Sequence, residues 1–166
     1  EKNDDLNLCE NSLVFLDTSN YRFFETTDVD SSSRYNIAEA KICKNIIDYL
    51  KKIKKIEEKF IGVITPYSAQ VNYLRGIIPL ENYPEIEIST VDGFQGREKE
   101  IIILNLVRSN KNKEVGFLAD KRRLNVAITR AKRMCILICD SSTVKKDNFI
   151  KGLCDHFSKE ALSLDI

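Results

Sequence analysis

"STVDGFQGREKEIIILNLVRSN", Ser89 to Asn110, joins two stretches of opposite character. Its second half, from Ile101 to Val107, is a short apolar run rich in β-branched residues. Such a run is the signature of a strand buried on both faces. The half before it, Asp92 to Lys99, holds two glycines, Gln95 and four charged residues. A tight turn calls for Gly or Asn, not for Gln95, Arg97 and Glu98 together. Polar groups gathered at the mouth of a buried strand point to a ligand site.

Outward from this stretch the same strand signature recurs. "SLVFLDT" (Ser12–Thr18), "FIGVI" (Phe60–Ile64, ending at Thr65-Pro66), "EIEIST" (Glu85–Thr90) and "MCILICD" (Met134–Asp140) read as strands. Helical spacing fills the intervals. Asn36 and Glu39 form a capping pair for a helix whose stripe is Ile42, Cys43, Ile46, Ile47, Leu50 and Ile53. A second helix runs from Ser68 to about Ile78, with Val71, Leu74 and Ile78 on one face. Asp120 caps a third from Lys121 to Lys132, and "NFIKGLCDHF" is the last, with Phe149, Leu153 and Phe157 as its stripe. Continuous apolar strands alternating with helices predict a three-layer α/β domain with a mainly parallel sheet covered on both faces. No linker, repeat or low-complexity block divides the chain, so residues 1–166 are expected to form a single domain.

Composition narrows the function classes. The chain is 43% hydrophobic and 31% charged with a net charge of +1, so no overall basic field announces a polyanion. A local cluster such as Lys121-Arg122-Arg123 still acts within a Debye length. Five cysteines without a C-x-x-C pair indicate a reducing, intracellular setting (cytoplasm or nucleus) and no disulfide framework. His156 is the only histidine and lacks a partner at ligand spacing, so no metal site is expected. No membrane helix and no signal peptide are read, so no membrane partner is expected.

The second unusual element is "DKRRLNVAITRAKR", Asp120 to Arg133. In the expected helix Leu124, Ala127, Ile128 and Ala131 face the sheet. Arg123 and Arg130, seven residues apart, project in similar directions about 10 Å from each other. Arg130 sits among small and apolar residues, and a guanidinium held there has a fork geometry suited to phosphate oxygens. Yet the chain contains neither G-x-x-x-x-G-K-[ST] nor G-x-G-x-x-G. A phosphate-binding arginine without a phosphate-cradling loop suggests a domain that completes another domain's site with an arginine finger.

"STVDGFQGREKEIIIL" and "GFLADKRRLNVAITRAK" together resemble motifs V and VI of superfamily 1 helicases of the up-frameshift and senataxin type. "GVITPYSAQ" is similar to their motif IV and "NIAEA" to the start of the preceding helix, so the resemblance runs from about Leu13 to Phe157. It implies the second, C-terminal RecA-like lobe of an ATP-dependent 5′-to-3′ helicase and a fragment of a longer chain. An upstream lobe of the same polypeptide would carry the P-loop and most contacts to ATP and Mg2+. By resemblance Arg130 would stabilise charge on the transferring γ-phosphoryl group, with Gln95 and Gly96 near that phosphate. Glu98 would accept from the ribose hydroxyl, and Arg123 would support the same cleft. Thr65 and Thr90, with Pro66 and Ser89 beside them, would hold a phosphate of single-stranded RNA or DNA, and Tyr67 would add a stacking or a packing contact. Lys132 stands where many relatives carry a second arginine, and no catalytic role is assigned to it.

Two other classes compete. A non-catalytic nucleic-acid-binding module that has kept the helicase fold would show the same motifs. An unrelated Rossmann-like enzyme would need a glycine loop after its first strand, and "LDTSNYRFFE" has no glycine. Contacts to phosphate carry no base information, so they do not separate RNA from DNA.

Overall fold

A computed structural model describes residues 12–94, 96–160 and 162–163. Its elements in chain order are β1 (Leu13–Asp17), β2 (Thr26–Thr27), β3 (Arg34–Tyr35), α1 (Ile37–Lys52), β4 (Ile61–Thr65), α2 (Ser68–Ile77), β5 (Glu87–Thr90), β6 (Lys99–Asn105), α3 (Lys121–Ile128), β7 (Ala131–Cys139), α4 (Ser141–Val144), α5 (Asn148–Glu160) and β8 (Leu162–Ser163). Six strands form one sheet in the order β5-β4-β6-β7-β1-β8, and every pairing in it is parallel. The expected α/β architecture is therefore present. It follows from the apolar runs: β4 is buried along its whole length, and so is β6 from Ile101 to Asn105.

Helices cover the two faces with separate apolar clusters. Cys43, Ile47 and Leu50 of α1 and Val71 and Leu74 of α2 pack with Ile103 and Ile136 on one face. Leu124 and Ala127 of α3 and Ile150, Cys154 and Phe157 of α5 pack with Ile102, Leu104 and Leu137 on the other. The stripe of α5 is thus turned from the expected one, because Phe149 and Leu153 are only partly buried. Ile53, expected on the α1 stripe, is 62% exposed, since the helix stops at Lys52. The polar segment after β1 contains the β2–β3 hairpin, which the sequence reading passes over as loop.

The helix α3 is shorter than its spacing predicts. It ends at Ile128 instead of Lys132, and Ala131 opens β7. Thr129 caps the helix with its hydroxyl donating to the carbonyls of Asn125 and Val126. Beyond it Ala131 pairs with Lys99, and the Lys99 N–H donates to the Arg130 carbonyl (3.0 Å). Strand pairing with a segment more than 30 residues earlier outweighs the local helical spacing. Arg130 therefore sits in a helix-to-strand turn, and the seven-residue helical relation to Arg123 does not hold.

The capping pair is half made. Asn36 Oδ1 accepts the Glu39 N–H (3.1 Å), but the Asn36 N–H donates to Gln70 Oε1 (2.8 Å) and not to Glu39. The Glu39 side chain turns into the interior instead.

Candidate nucleotide and nucleic-acid edges

Because the strands are parallel, the predicted residues fall at two opposite edges of the sheet. Gly96 and Glu98, just before β6, and Arg130, just before β7, gather at the amino edge. Thr65 ends β4 and Thr90 ends β5, with Pro66, Tyr67 and Ser89 adjacent, at the carboxyl edge. Gln95 lies outside the described residues.

The residues between Thr90 and Lys99 cross from one edge to the other. Asp92–Phe94 is a single 3-10 turn, and Phe94 is fully buried beneath Gly62. At Gly93 a Cβ would run into Ser89 Oγ, so a larger residue there would have to turn that hydroxyl away. Gly96 is required by conformation, with φ +79°, and open space lies beside it. The charged residues of the crossing divide into two kinds. Arg97 pairs with Glu87 (2.8 Å), lies over the Phe94 ring and donates to the Gly93 carbonyl, so it is structural. Lys99 likewise pairs with Glu87 (3.5 Å) and donates to the Lys59 carbonyl (2.8 Å). Glu98 is exposed and has no partner among the described residues.

The arginines divide the same way. Arg123 is committed to Asp92 (3.1 Å) and Asp120 (3.6 Å), so it clasps α3 to the crossing. Arg133 pairs with Glu100 (2.9 Å). Arg130 has no carboxylate partner among the described residues. Its Nε donates to the Val126 carbonyl (3.1 Å) and its Nη2 to Thr129 Oγ1 (3.2 Å). These bonds cap the C-terminal end of α3, where a cation also suits the helix dipole. They leave the remaining N–H donors of a half-exposed guanidinium free.

At the carboxyl edge Thr65 and Thr90 are register partners. Thr90 is half-buried, and its Oγ1 accepts the Gly93 N–H (3.2 Å). Thr65 is fully buried, with its hydroxyl accepting from the Tyr67 N–H (3.5 Å), so in this arrangement it does not face solvent. Tyr67 is packed within the protein. The ring is 2% exposed, its hydroxyl receives a bond from Arg108 Nη1 (3.3 Å), and burial pushes its phenol pKa up against the pull of that guanidinium.

Three features of this edge escape the sequence reading. The first is a buried polar network. Glu39 accepts from Thr18 Oγ1 (2.9 Å), Asn105 Nδ2 (2.6 Å) and the Val107 N–H (3.0 Å), while Asn105 Oδ1 accepts from Gln70 (2.6 Å). Desolvation pushes the Glu39 carboxyl up to about 8, against the three bonds that favour its ionised form. The second is a γ-turn at Val107, where φ is +71° and the Arg108 N–H donates to the Leu106 carbonyl (2.8 Å). This left-handed form is rare, above all for a β-branched residue. The third is the buried pair Arg108–Glu25 (2.9 Å), which ties the segment before β2 to the loop after β6. The one signal for the network is Asn105 within an apolar run, and for the pair it is Arg108 directly after that run.

Sequence comparison agrees with the fold. The profile of the AAA domain family matches residues 1–142. DNA-binding protein SMUBP-2 of Rattus norvegicus is 45% identical over 147 residues, covering 89% of this chain and 15% of the relative. DNA polymerase alpha-associated DNA helicase A of Saccharomyces cerevisiae is 50% identical over 129 residues, 76% of this chain and 19% of the relative. Regulator of nonsense transcripts 1 of Dictyostelium discoideum is 40% identical over 149 residues, 83% of this chain and 11% of the relative. The chain thus spans less than a fifth of the length of each of these relatives. With motifs IV, V and VI in order on a parallel six-stranded sheet, the chain belongs to the superfamily 1 helicases of the up-frameshift and senataxin type, as their C-terminal RecA-like lobe.

Proposed function

We propose that this lobe closes one wall of an ATP site in a 5′-to-3′ helicase acting on RNA or DNA, and that Arg130 is its arginine finger. One observation carries the reading. Arg97 and Arg133 flank the amino edge and each has a carboxylate, whereas Arg130 beside Gly96 and Glu98 has none among the described residues. A guanidinium kept free of acids suits a partner that brings its own negative charge. Gly96, with no side chain and open space, allows phosphate oxygens close to the backbone, with Gln95 beside it. Glu98, exposed and without a partner among the described residues, would accept from a ribose hydroxyl. These groups fit one wall of a nucleotide cleft; an upstream lobe of the same polypeptide would hold Mg2+ and the β-phosphate. ATP bound there supplies the γ-phosphoryl group, and Arg130 stabilises the charge that develops on it. Arg123 acts at one remove, by holding α3 against the crossing.

At the carboxyl edge Thr90 and Ser89, with Pro66 alongside, form the contact to a strand phosphate, and Thr65 and Tyr67 shape that contact from beneath. The experiment that tests the reading is nucleic-acid-stimulated ATP hydrolysis by the two-lobe protein. Arg130→Ala should lower turnover about 10³-fold or more, with nucleotide affinity changed far less. Arg130→Lys should stay impaired, because an ammonium lacks the planar fork. Near-normal turnover in a folded Arg130→Ala protein would leave Arg130 as a helix cap.

A further inference from the structure

With the Tyr67 ring buried, the carboxyl edge has no aromatic face from that residue, but it has one from another. Phe117 is 64% exposed and its ring lies on Tyr67, centroids 5.9 Å apart and tilted by 38°. This is no loose side chain on a mobile loop tip. On one side the Val115 carbonyl accepts from the Tyr67 hydroxyl (3.5 Å), and on the other Leu118 is only 1% exposed. Gly116, at φ +53°, makes the bend between them, and a Cβ there would meet the buried Arg108 guanidinium. Farther back Asn110 closes the loop by accepting the Glu114 N–H (2.9 Å) and donating to its carbonyl (2.9 Å). The protein thus rests a large apolar ring on Tyr67 with most of it in solvent.

We propose that Phe117 is a stacking platform for a base of the single strand whose phosphate is held at Thr90. The proposal rests on the strand contact proposed above. Charge decides for a nucleobase over an apolar protein surface. Lys111 and Lys113 in the same loop, and Lys121 and Arg122 just after it, are exposed with no carboxylate partner among the described residues. An exposed, supported aromatic among unpaired cations at the end of a strand-binding edge is the arrangement that single-strand binders use: stacking on the ring, phosphate attraction around it. Stacking on a π-face is tolerant of sequence, so this platform adds affinity without base preference.

Anisotropy of a dye-labelled oligo(dT) bound to the two-lobe protein tests this. Removal of a stacking ring by alanine corresponds to roughly a 5- to 150-fold loss of affinity. Phe117→Ala should weaken binding within that range and leave the slope of log K against log salt unchanged, because no phosphate contact is lost. Phe117→Trp should retain affinity. An abasic site at the stacked position should weaken the parent protein by a similar factor and the Phe117→Ala protein no further. Affinity of Phe117→Ala within twofold of the parent, or an equal abasic penalty in both, would overturn the platform. If Thr90→Ala still weakens binding in that case, the strand contact stands without Phe117; if the parent binds no strand, both readings fall. Loss of lobe association in Phe117→Ala, with strand affinity intact, would assign the ring to the upstream lobe instead.

Discussion

Glu39 offers a quantitative test of the carboxyl-edge network. Its carboxyl is fully buried and moves from its ordinary 4.5 to about 8 on folding, with desolvation as the largest cause and Asp140 adding a little in the same direction. The folded state therefore binds the Glu39 proton more tightly than the unfolded state does. Between pH 4.5 and 8 the unfolded chain has lost this proton while the folded chain keeps it, so stability falls as pH rises and levels off above about 8. At about 1.4 kcal/mol per pH unit the loss is at most about 5 kcal/mol. Glu39→Gln removes the titration and preserves the bonds. Its amide N–H₂ can donate to Thr18 Oγ1, and its carbonyl can accept from Asn105 Nδ2 and the Val107 N–H, where Glu39 Oε2 accepts now. Urea unfolding of parent and variant at several pH values between 5 and 9 isolates the effect, since every other titrating group is common to both. The variant should be similar to the parent near pH 5 and the more stable of the two by a few kcal/mol at pH 8.5. Parallel stability curves would mean that the three donors hold Glu39 ionised despite its burial. A difference that shrinks with rising pH would reverse the sign and refute the desolvation reasoning outright.

Arg108→Ala leaves the charge of the Glu25 carboxylate, whose side chain is 7% exposed, without its cation and should cost roughly 3–5 kcal/mol in chemical denaturation; Arg108→Met with Glu25→Gln, whose carbonyl can still accept from the Ser109 N–H, should recover most of that. The 166-residue chain alone should show no ATP turnover above background in a phosphate-release assay, because it has no phosphate-cradling glycine loop.

Much of the fold is legible because it is carried by burial. A strand covered on both faces has to be apolar throughout, and the runs ending at Thr65, Asn105 and Cys139 meet that demand visibly. What is illegible depends on partners far away in sequence. Leu124, Ala127, Ile128 and Ala131 keep helical spacing straight through the end of α3, and alanine suits a helix as well as a strand. Only the pairing of Ala131 with Lys99 decides against the helix. Glu39 reads as a capping residue because Asn36-x-x-Glu39 is a local pattern, while the Asn105 amide that draws it inward lies 66 residues on. Phe117 carries no signal at all, since an exposed phenylalanine in a loop looks like a buried one until the Tyr67 ring is placed beneath it.

The density of polar residues between Asp92 and Lys99 has a geometric cause. In a parallel sheet the chain must return from the carboxyl end of one strand to the amino end of the next. Usually a helix makes that return, but between β5 and β6 only the residues from Val91 to Glu98 are available. Thr90 stands at one end of this crossing and Glu98 at the other, so a single short segment meets both edges of the sheet. The α3 segment makes the parallel journey from Asp120 to Arg130, and the Asp92–Arg123 pair joins the two segments along the way. A segment that anchors at both ends, packs Phe94 beneath it and still presents groups outward has few positions left for ordinary loop residues. Three of its four charges serve the fold, Asp92 through Arg123 and Arg97 and Lys99 through Glu87, and Glu98 has no partner among the described residues.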